Sequence, residues 1–552
     1  MFALIFLLGG LLGDAHAQDL ILWHAYRGAE RQALDSLIAD HNALHPSRSV
    51  TARAVPYDGF NSKIEAAIPR GNGPDLFIAA HERLGSWVPS GLIAPNPSPL
   101  EDTFPVVEQA LFHDGSTYGT PLAYKTLALF INSDRIEHAP ATTSDLIELA
   151  EQERMQGRIG LAYQATEPYF HAPWAHGFDG ELLQDDGVVL NRPGAVAALD
   201  FAHSLMARGL LPEEPTGALV TQLFNDGMTS MAINGPWFLG ELDPKVNFRV
   251  VPLPTVSETG LAAAPYLTVE AVQVSAHSAH PQEAWAFAQW LMGTEPAIAR
   301  ALNGRQSVAT QSAYRDERVA NDPILAAFRM QLERSRPMPT QPLMTATWEP
   351  LARAIRGVMR GANEPAAALE AAQTEFEAIT RPPPPSSNPL PYLIAFAMLL
   401  LGGTGWLVRR IWAARADIRA HRHAYQWVGP ASAAMALLVI VPFVVGAAVS
   451  LFSHREGQWT FVGLSHFIDI LFARDWPITS PLSFWFTLVV TVGWTAANIV
   501  LHVSIGVALA MLLRAPWLRM KSATCAKRPS RKALTSASVT HSSIALAMHE
   551  SH

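Results

Sequence analysis

The hydrophobic and polar positions of the chain follow two regimes. Up to about Ile379, apolar residues come in short runs between amphipathic stretches; from Pro391 to Leu513 they form long, nearly uncharged blocks. In the first regime "DLILWHAY" is a short apolar run of strand type, and "ERQALDSLIADHNALHP" places Leu34, Leu37, Ile38, His41 and Leu44 on one helical face. "SVTARAVP" alternates as a strand, and "PDLFIAA" predicts another after the turn "GNGP". Strands alternating with helices predict a mostly parallel sheet with helices on both faces. More than three hundred residues of this pattern exceed one comfortable core, so two lobes are expected. Ligands of such sheets sit beyond the strand carboxyl ends, where two facing lobes would make a cleft.

In the second regime three segments are long and apolar enough to predict membrane spans: Pro391–Val408, Trp427–Phe452 and Ser483–Leu513, the last long enough to need tilting. Between the regimes lies "RPPPPSSNP" (Arg381–Pro389), whose prolines predict an extended spacer and a domain boundary over 381–390. The first connection carries Arg409, Arg410, Arg415, Arg419 and Arg422 against Asp417, and Arg514, Arg519 and Lys521 follow the third segment. The connection His454–Leu482 has only Arg455 and Arg474 against several acids. The positive-inside rule therefore puts the first and third of these in the cytoplasm, and the second connection and the soluble domain outside. The N-terminus agrees: residues 1–18 hold an apolar run, Phe2–Leu12, then Ala15-His16-Ala17 in the pattern of a signal cleavage site, although no basic residue precedes it. The expected location is a bacterial inner membrane, with the N-terminal domain in the periplasm or extracytoplasmic space.

Composition narrows the chemistry. Among 552 residues the formal charge is −8 and no long basic run precedes the tail, which argues against nucleic acid as a partner. Cys525 is the one cysteine, so neither an internal disulfide nor a cysteine-based zinc site is available. No phosphate-cradling loop, H-E-x-x-H helix or nucleophile elbow occurs, and neither cofactor nor metal is expected.

Four runs carry a resemblance: "GNGPDLFIAAHERLGSWVPSGLIAP" (Gly71–Pro95), "ATEPYF" (Ala165–Phe170), "FNDGMTSMAINGPW" (Phe224–Trp237) and "PMPTQPLMTATWEPLARAI" (Pro337–Ile355). In order and spacing they resemble the maltose-binding-protein-like extracellular solute-binding proteins of sugar ABC transporters, over nearly all of Asp19–Ile379. The resemblance implies an α/β, two-lobed periplasmic-binding-protein (type II) fold with a hinged cleft over 19–380, closing on a sugar. A pyranose has an apolar CH face and a rim of hydroxyls, so its site needs flat aromatics together with charged or amide groups. Matching positions make Trp237 and Trp348 stacking platforms beside Tyr169, with Glu167, Glu82 and Arg83 gripping hydroxyls and Arg27 in the first loop. Taken singly, each tryptophan would read equally well as core packing, and Glu82–Arg83 as a solvated surface pair.

The chain also departs from the family pattern. Ala79 stands where the family has a tryptophan, and Lys125 where it has a glutamate; Tyr26-Arg27 replaces an acid-basic pair, and the last arginine falls on Ala352, with Arg353 one place away. A space at Ala79 and a cation at Lys125 would favour a modified or acidic sugar. Carbohydrate as a class is expected, and these departures leave open which sugar it is, maltodextrin included.

"TFVGLSHFIDILF…" through "…LLRAPWLRMK" (Thr460–Lys521) resembles the maltose-transporter type of ABC permease. Thr487, Thr491, Thr495, Asn498, His502 and Gly506 make a polar and small stripe at three- and four-residue steps, which faces other helices or a pathway. Beyond Lys521 the resemblance stops, and residues 522–552 form a basic, Ser/Thr/Ala-rich tail with no further span and no ATPase-docking loop, as expected of a frame-shifted or truncated product. The all-α membrane region of about three helices (391–521) is therefore expected to be an incomplete permease. The predicted function is a membrane-tethered sugar receptor working with a second permease subunit and an ATPase on a separate chain. The alternatives are a non-transporting sugar sensor and, through Glu82 and Glu167 as a carboxylate pair, a glycoside hydrolase.

Overall fold

The computed structural model describes residues 19–184, 187–455, 458–474 and 476–514. The signal-like segment, the tail from Ser522, and Arg519 and Lys521 lie outside the described residues. The chain forms two compact units that divide between Arg381 and Pro382.

The first unit contains two sheets. Its chain supplies β1 (Leu20–His24), β2 (Val50–Ala54), β3 (Leu76–Ala80) and β4 (Thr120–Lys125), then β5 (Ala128–Asn132), β6 (Met231–Asn234) and β7 (Phe248–Val251), and finally β8 (Tyr266–Val274) and β9 (Arg336–Pro337). The larger sheet runs β9-β8-β3-β1-β2, with β4 also on β8; the smaller runs β6-β5-β7. Pairing is parallel among β1, β2 and β3, but β8 is antiparallel to both β3 and β4, and the smaller sheet is antiparallel throughout. The expectation of a mostly parallel sheet thus holds for its first strands and for the β8–β9 pair, but fails where β8 meets β3 and β4. The reason is topological: the chain leaves for the second lobe after β4 and returns into the first sheet from the opposite direction.

The core has several layers, one of which runs through both lobes and joins Phe77 and Trp87 to Phe130 and Phe238. Leu22, Leu34, Ile78, Val272 and Phe287 pack together in the first lobe. In the second, β5 feeds two layers: Leu129 and Ile131 join Trp174, Leu199 and Ile355 on one face, while Ala128 and Phe130 join Phe238 and Phe328 on the other. The helix Gly28–Leu44 buries Leu34, Leu37, Ile38 and His41 as its periodicity predicts, whereas Leu44 is exposed, because the helix ends there.

Thr126 and Leu127 alone separate β4 from β5, so this crossing between lobes is short. The buried Thr126 hydroxyl donates to the Tyr266 carbonyl (3.1 Å), at the start of β8, and lies 2.8 Å from Ser335 Oγ, just before β9. One side chain therefore ties the β4–β5 crossing to the start of β8 and to the approach to β9.

In the second unit, residues 382–388 carry no regular structure. The helix Leu390–Ala413 extends past Val408 through Arg409 and Arg410. The second apolar segment is a helix from Arg422 to Met435 that passes through a π-turn, Ala436–Ile440, into Val441–Val449. Pro442 follows the π-turn, whose wider hydrogen-bond step accommodates the missing N–H. This segment stops short of the expected Phe452, which instead opens a hairpin of β10 (Phe452–Arg455) and β11 (Gln458–Phe461). Phe452, Trp459 and Phe461 are as apolar as a span but pack as cross-strand ring pairs. The last helix is Phe484–Arg514.

Ser387 at the end of the spacer donates from its N–H to Phe461 O (2.8 Å) and from its hydroxyl to Val462 O (3.1 Å), and Tyr392 rests on the Phe461 ring at 5.2 Å. The spacer's end, the start of the first long helix and the hairpin therefore share one end of this unit.

Candidate functional site

The site is built from four short pieces of the first unit. After β3, the turn His81–Arg83 carries Glu82 and Arg83 into the cleft. His81 anchors that turn: its Nδ1 accepts from Val269 N–H and its Nε2 donates to Met338 O, both at 3.0 Å. Burial makes the cation costly and lowers the His81 pKa to about 4, so the ring stays neutral and holds β8, the turn and Met338 in register. The second piece is "NGPW". Asn234 Oδ1 accepts from Gly235 N–H at 2.9 Å, and Pro236 opens the short helix Pro236–Gly240 that presents Trp237. A Cβ on Gly235 would fall 2.2 Å from the indole, so only glycine lets the ring fold back there.

The third piece is the helix Pro342–Met359, which carries Trp348. That indole packs on the buried cluster of Ala172, Tyr266 and Met338, against which Tyr169 from the helix Pro168–Gly177 also packs. The fourth piece is the hinge itself. In β8 the alternate residues Thr268 and Glu270 face the cavity while Leu267, Val269 and Ala271 enter the core, and the pairing with β4 is bulged between Glu270 and Ala271.

These pieces enclose two adjoining cavities. One, of about 580 Å³, is walled by Glu82, Arg83, Tyr169, Trp237, Glu270 and Trp348; Lys125 and Tyr57 complete it. The other, of about 710 Å³, contains Arg27, Glu30, Lys125, Trp237, Glu241 and Arg305. Both volumes suit small-molecule ligands, and a mixture of aromatic faces with convergent charged groups is what an amphipathic ligand needs. Tyr169 and Trp237 stand 6.4 Å apart, tilted by 46°, which leaves Trp237 40 % exposed to the cleft.

The charges are arranged in pairs. Lys125 Nζ lies 2.8 Å from Glu270 Oε1 and 3.7 Å from Glu30 Oε1, and Tyr26 donates its hydroxyl to Glu270 Oε2 at 3.1 Å. Burial disfavours the ammonium, but the two carboxylates outweigh it and raise the Lys125 pKa. Burial raises the carboxyl pKa of Glu82 against the pull of Arg83, and that of Glu30 against the pull of Lys125.

Of the residues singled out in the sequence, Trp237, Trp348, Tyr169, Glu82, Arg83 and Lys125 line the first cavity and Arg27 the second. Glu167 lines neither. It is the N-cap of the helix Pro168–Gly177; its carbonyl accepts from Phe170 and His171, and the residue is exposed. Ala79 opens no space in either cavity, being buried in β3 opposite Ala271. Arg353 pairs with Glu349 and Glu375 rather than facing the cleft. Glu30, Glu270 and Tyr57 were not anticipated. A lone acid inside the apolar strand "YLTVEAVQV" was the signal available for Glu270.

In the second unit, Thr487, Thr491, Thr495 and His502 are exposed, and Asn498 turns back to donate to Trp494 O at 2.9 Å. No residue of the stripe bonds to another helix among the described residues.

Two lobes joined at a tied hinge around a cleft of aromatic and charged groups define a ligand-capturing receptor. Residues 36–327 match the model of the bacterial extracellular solute-binding proteins, and the chain belongs to that family. It is 26 % identical over 357 residues to a maltotriose-binding protein of Pyrococcus abyssi, covering 62 % of this chain and 77 % of that one. It is 25 % identical over 325 residues to a maltooligosaccharide ABC transporter solute-binding lipoprotein of Streptococcus pneumoniae, covering 55 % of this chain and 76 % of that one. A solved cyclo/maltodextrin-binding protein complexed with maltotetraose superposes with a TM-score of 0.61 at 25 % identity, over 66 % of this chain and 97 % of its own. These relatives are binding proteins, not enzymes.

Proposed function

We propose that the first unit binds a carbohydrate outside the cytoplasm and passes it to an ABC-type importer, while the second unit moors it to the membrane. The observation that carries this reading is the pairing of indole faces, Trp237 and Trp348, with the charged groups of one hinged cleft. The relatives' ligands, maltotriose and maltooligosaccharides, supply the class.

Three helices among the described residues, Leu390–Ala413, Gln426–Val449 and Phe484–Leu513, are long and apolar enough to cross a bilayer. At 1.5 Å per residue the 24-residue helices reach about 36 Å, enough for a hydrocarbon core of about 30 Å, and the 30-residue helix must tilt. Ser387, Tyr392 and the hairpin share one end of this unit, which agrees with an outside location for both the spacer and the second connection, and the arginine-rich first connection then faces the cytoplasm. The uncovered polar stripe suits contact with a second permease subunit, and hydrolysis would fall to an ATPase on another chain.

Calorimetric titration of the full chain in detergent micelles against neutral, acidic and amino oligosaccharides tests this. Micromolar or tighter binding of at least one sugar is expected; silence across the panel overturns the receptor reading.

A further inference from the structure

We infer that Lys125, held between Glu270 and Glu30, is the specificity element of the cleft, selecting a neutral polyhydroxylated unit at the seam of the two cavities and excluding a carboxylated one. This rests on the carbohydrate reading above and reverses what the lysine suggests in the sequence alone. Lys125 and Trp237 are the two residues shared by both cavity walls, so a ligand spanning them must pass this point. Each cavity contributes one acid to the lysine: Glu270 at 2.8 Å from the first, Glu30 at 3.7 Å from the second.

A second cation lies deeper. Arg300 is 1 % exposed behind the cleft floor, where its guanidinium donates to the carbonyls of Leu122 (2.6 Å), within β4, and Leu291 (3.2 Å). Both carboxylates thus already share the one ammonium that opens to the cleft, while Arg300 is spent on backbone carbonyls. Lys125 is therefore not a vacant anion receptor.

An arriving ligand carboxylate would gain one ammonium already neutralised by its neighbours, and would be set beside two like charges. A sugar hydroxyl meets the opposite situation. The ammonium has three N–H donors, and the carboxylates offer acceptor oxygens beside it, so a hydroxyl can donate and accept at one place. The arrangement is also held still. Tyr26 donates to Glu270 Oε2, Gln306 Nε2 approaches Glu30 Oε1 at 3.5 Å, and β4, which carries Lys125, is pinned by Arg300.

The test is titration of the full chain in micelles with neutral probes (maltose, maltotriose, maltotetraose, cellotriose, trehalose) and acidic ones (di- and trigalacturonic acid), with thermal melts of every variant. The wild type should bind at least one neutral probe at least tenfold more tightly than either acidic one. Lys125→Met should weaken the neutral probe at least tenfold. Lys125→Arg should keep the neutral preference, and Glu270→Gln, which releases the ammonium, should raise affinity for trigalacturonic acid at least tenfold. Binding of a neutral sugar unchanged in Lys125→Met and Glu270→Gln, or a wild-type preference for the acidic probes, overturns this inference alone. Binding of none of the probes, together with silence across the wider panel, overturns the receptor reading beneath it. If Lys125→Met melts far below the wild type, Lys125→Arg and Glu270→Gln decide the matter.

Discussion

In the unit that ends at Arg381 the large apolar side chains are sealed: Trp87, Trp174, Phe77, Phe130 and Phe287 are at most 1 % exposed. In the unit that begins at Pro382, Leu401 and Phe443 are each 75 % exposed and Trp494 is 72 % exposed, and the same holds along all three long helices. The residue types are the same; the solvent they call for differs. The first unit brings its apolar surface together through long-range strand pairing and helix packing, and water drives that assembly. The second satisfies its backbone within helices and leaves its side chains outward, a solution that suits a surrounding of hydrocarbon. What is recognised in each unit differs accordingly: a shaped, charged cleft in one, an apolar environment in the other.

The contrast is broken most directly by removing detergent. The full chain should sediment as aggregate, whereas proteolysis in the irregular stretch 381–388 should release a soluble fragment that still binds sugar, as read by size exclusion and titration. A soluble, monodisperse full chain would contradict the contrast.

Within the first unit the two indoles sharpen it. Trp348→Ala should weaken sugar binding about a hundredfold and Trp237→Ala about tenfold, since Trp348 is backed by packed neighbours and Trp237 is 40 % exposed. Trp237→Ala should leave the melting temperature nearly unchanged, whereas Trp348→Ala should lower it, because that ring packs on a buried cluster.

The last effect is one of acidity and belongs to the first unit alone. Burial lowers the pKa of His81, His171 and His176 to about 4. A histidine in the unfolded chain titrates near 6.5, so in this window the unfolded state binds more protons than the folded one. Stability is therefore complete above about pH 6.5 and is lost as pH falls toward 4, by up to about 3 kcal/mol for each ring. The raised carboxyls of Glu30 and Glu82 act in the opposite sense and offset part of the loss. The melting temperature of the released fragment should fall by roughly 10 °C between pH 7 and pH 4.5, and His81→Gln should flatten that profile.

Much of this was legible in the residues. Periodicity located β1, β2, β3 and the face of the helix Gly28–Leu44, and four collinear runs brought out Trp237 and Trp348 before any coordinates. Two kinds of information were not legible. Partners far apart in sequence meet only through register: Thr268 lies opposite Lys125, and this pairing, with the bulge after Glu270, brings the acid to the lysine. Local backbone duties were also hidden. Glu167 resembles a ligand residue in "ATEPYF", yet it caps a helix and leaves the cavity wall to Tyr169. In the apolar blocks, hydropathy found the helices but not the end of the second, since a strand of Phe452-Ser453-His454-Arg455 carries on the apolar run only through its phenylalanine.

The clamp of Ser387 on the hairpin has a consequence for supply. Only Pro382–Ser386 remains as a leash, about 16 Å when drawn out at 3.1 Å per residue. Free receptors can outnumber their gates and roam between them; a captive on so short a chain attends one gate. If the chain serves an importer as proposed, uptake capacity rises and falls with the number of copies in the membrane, one catcher to each doorway, with no surplus pool to buffer scarcity.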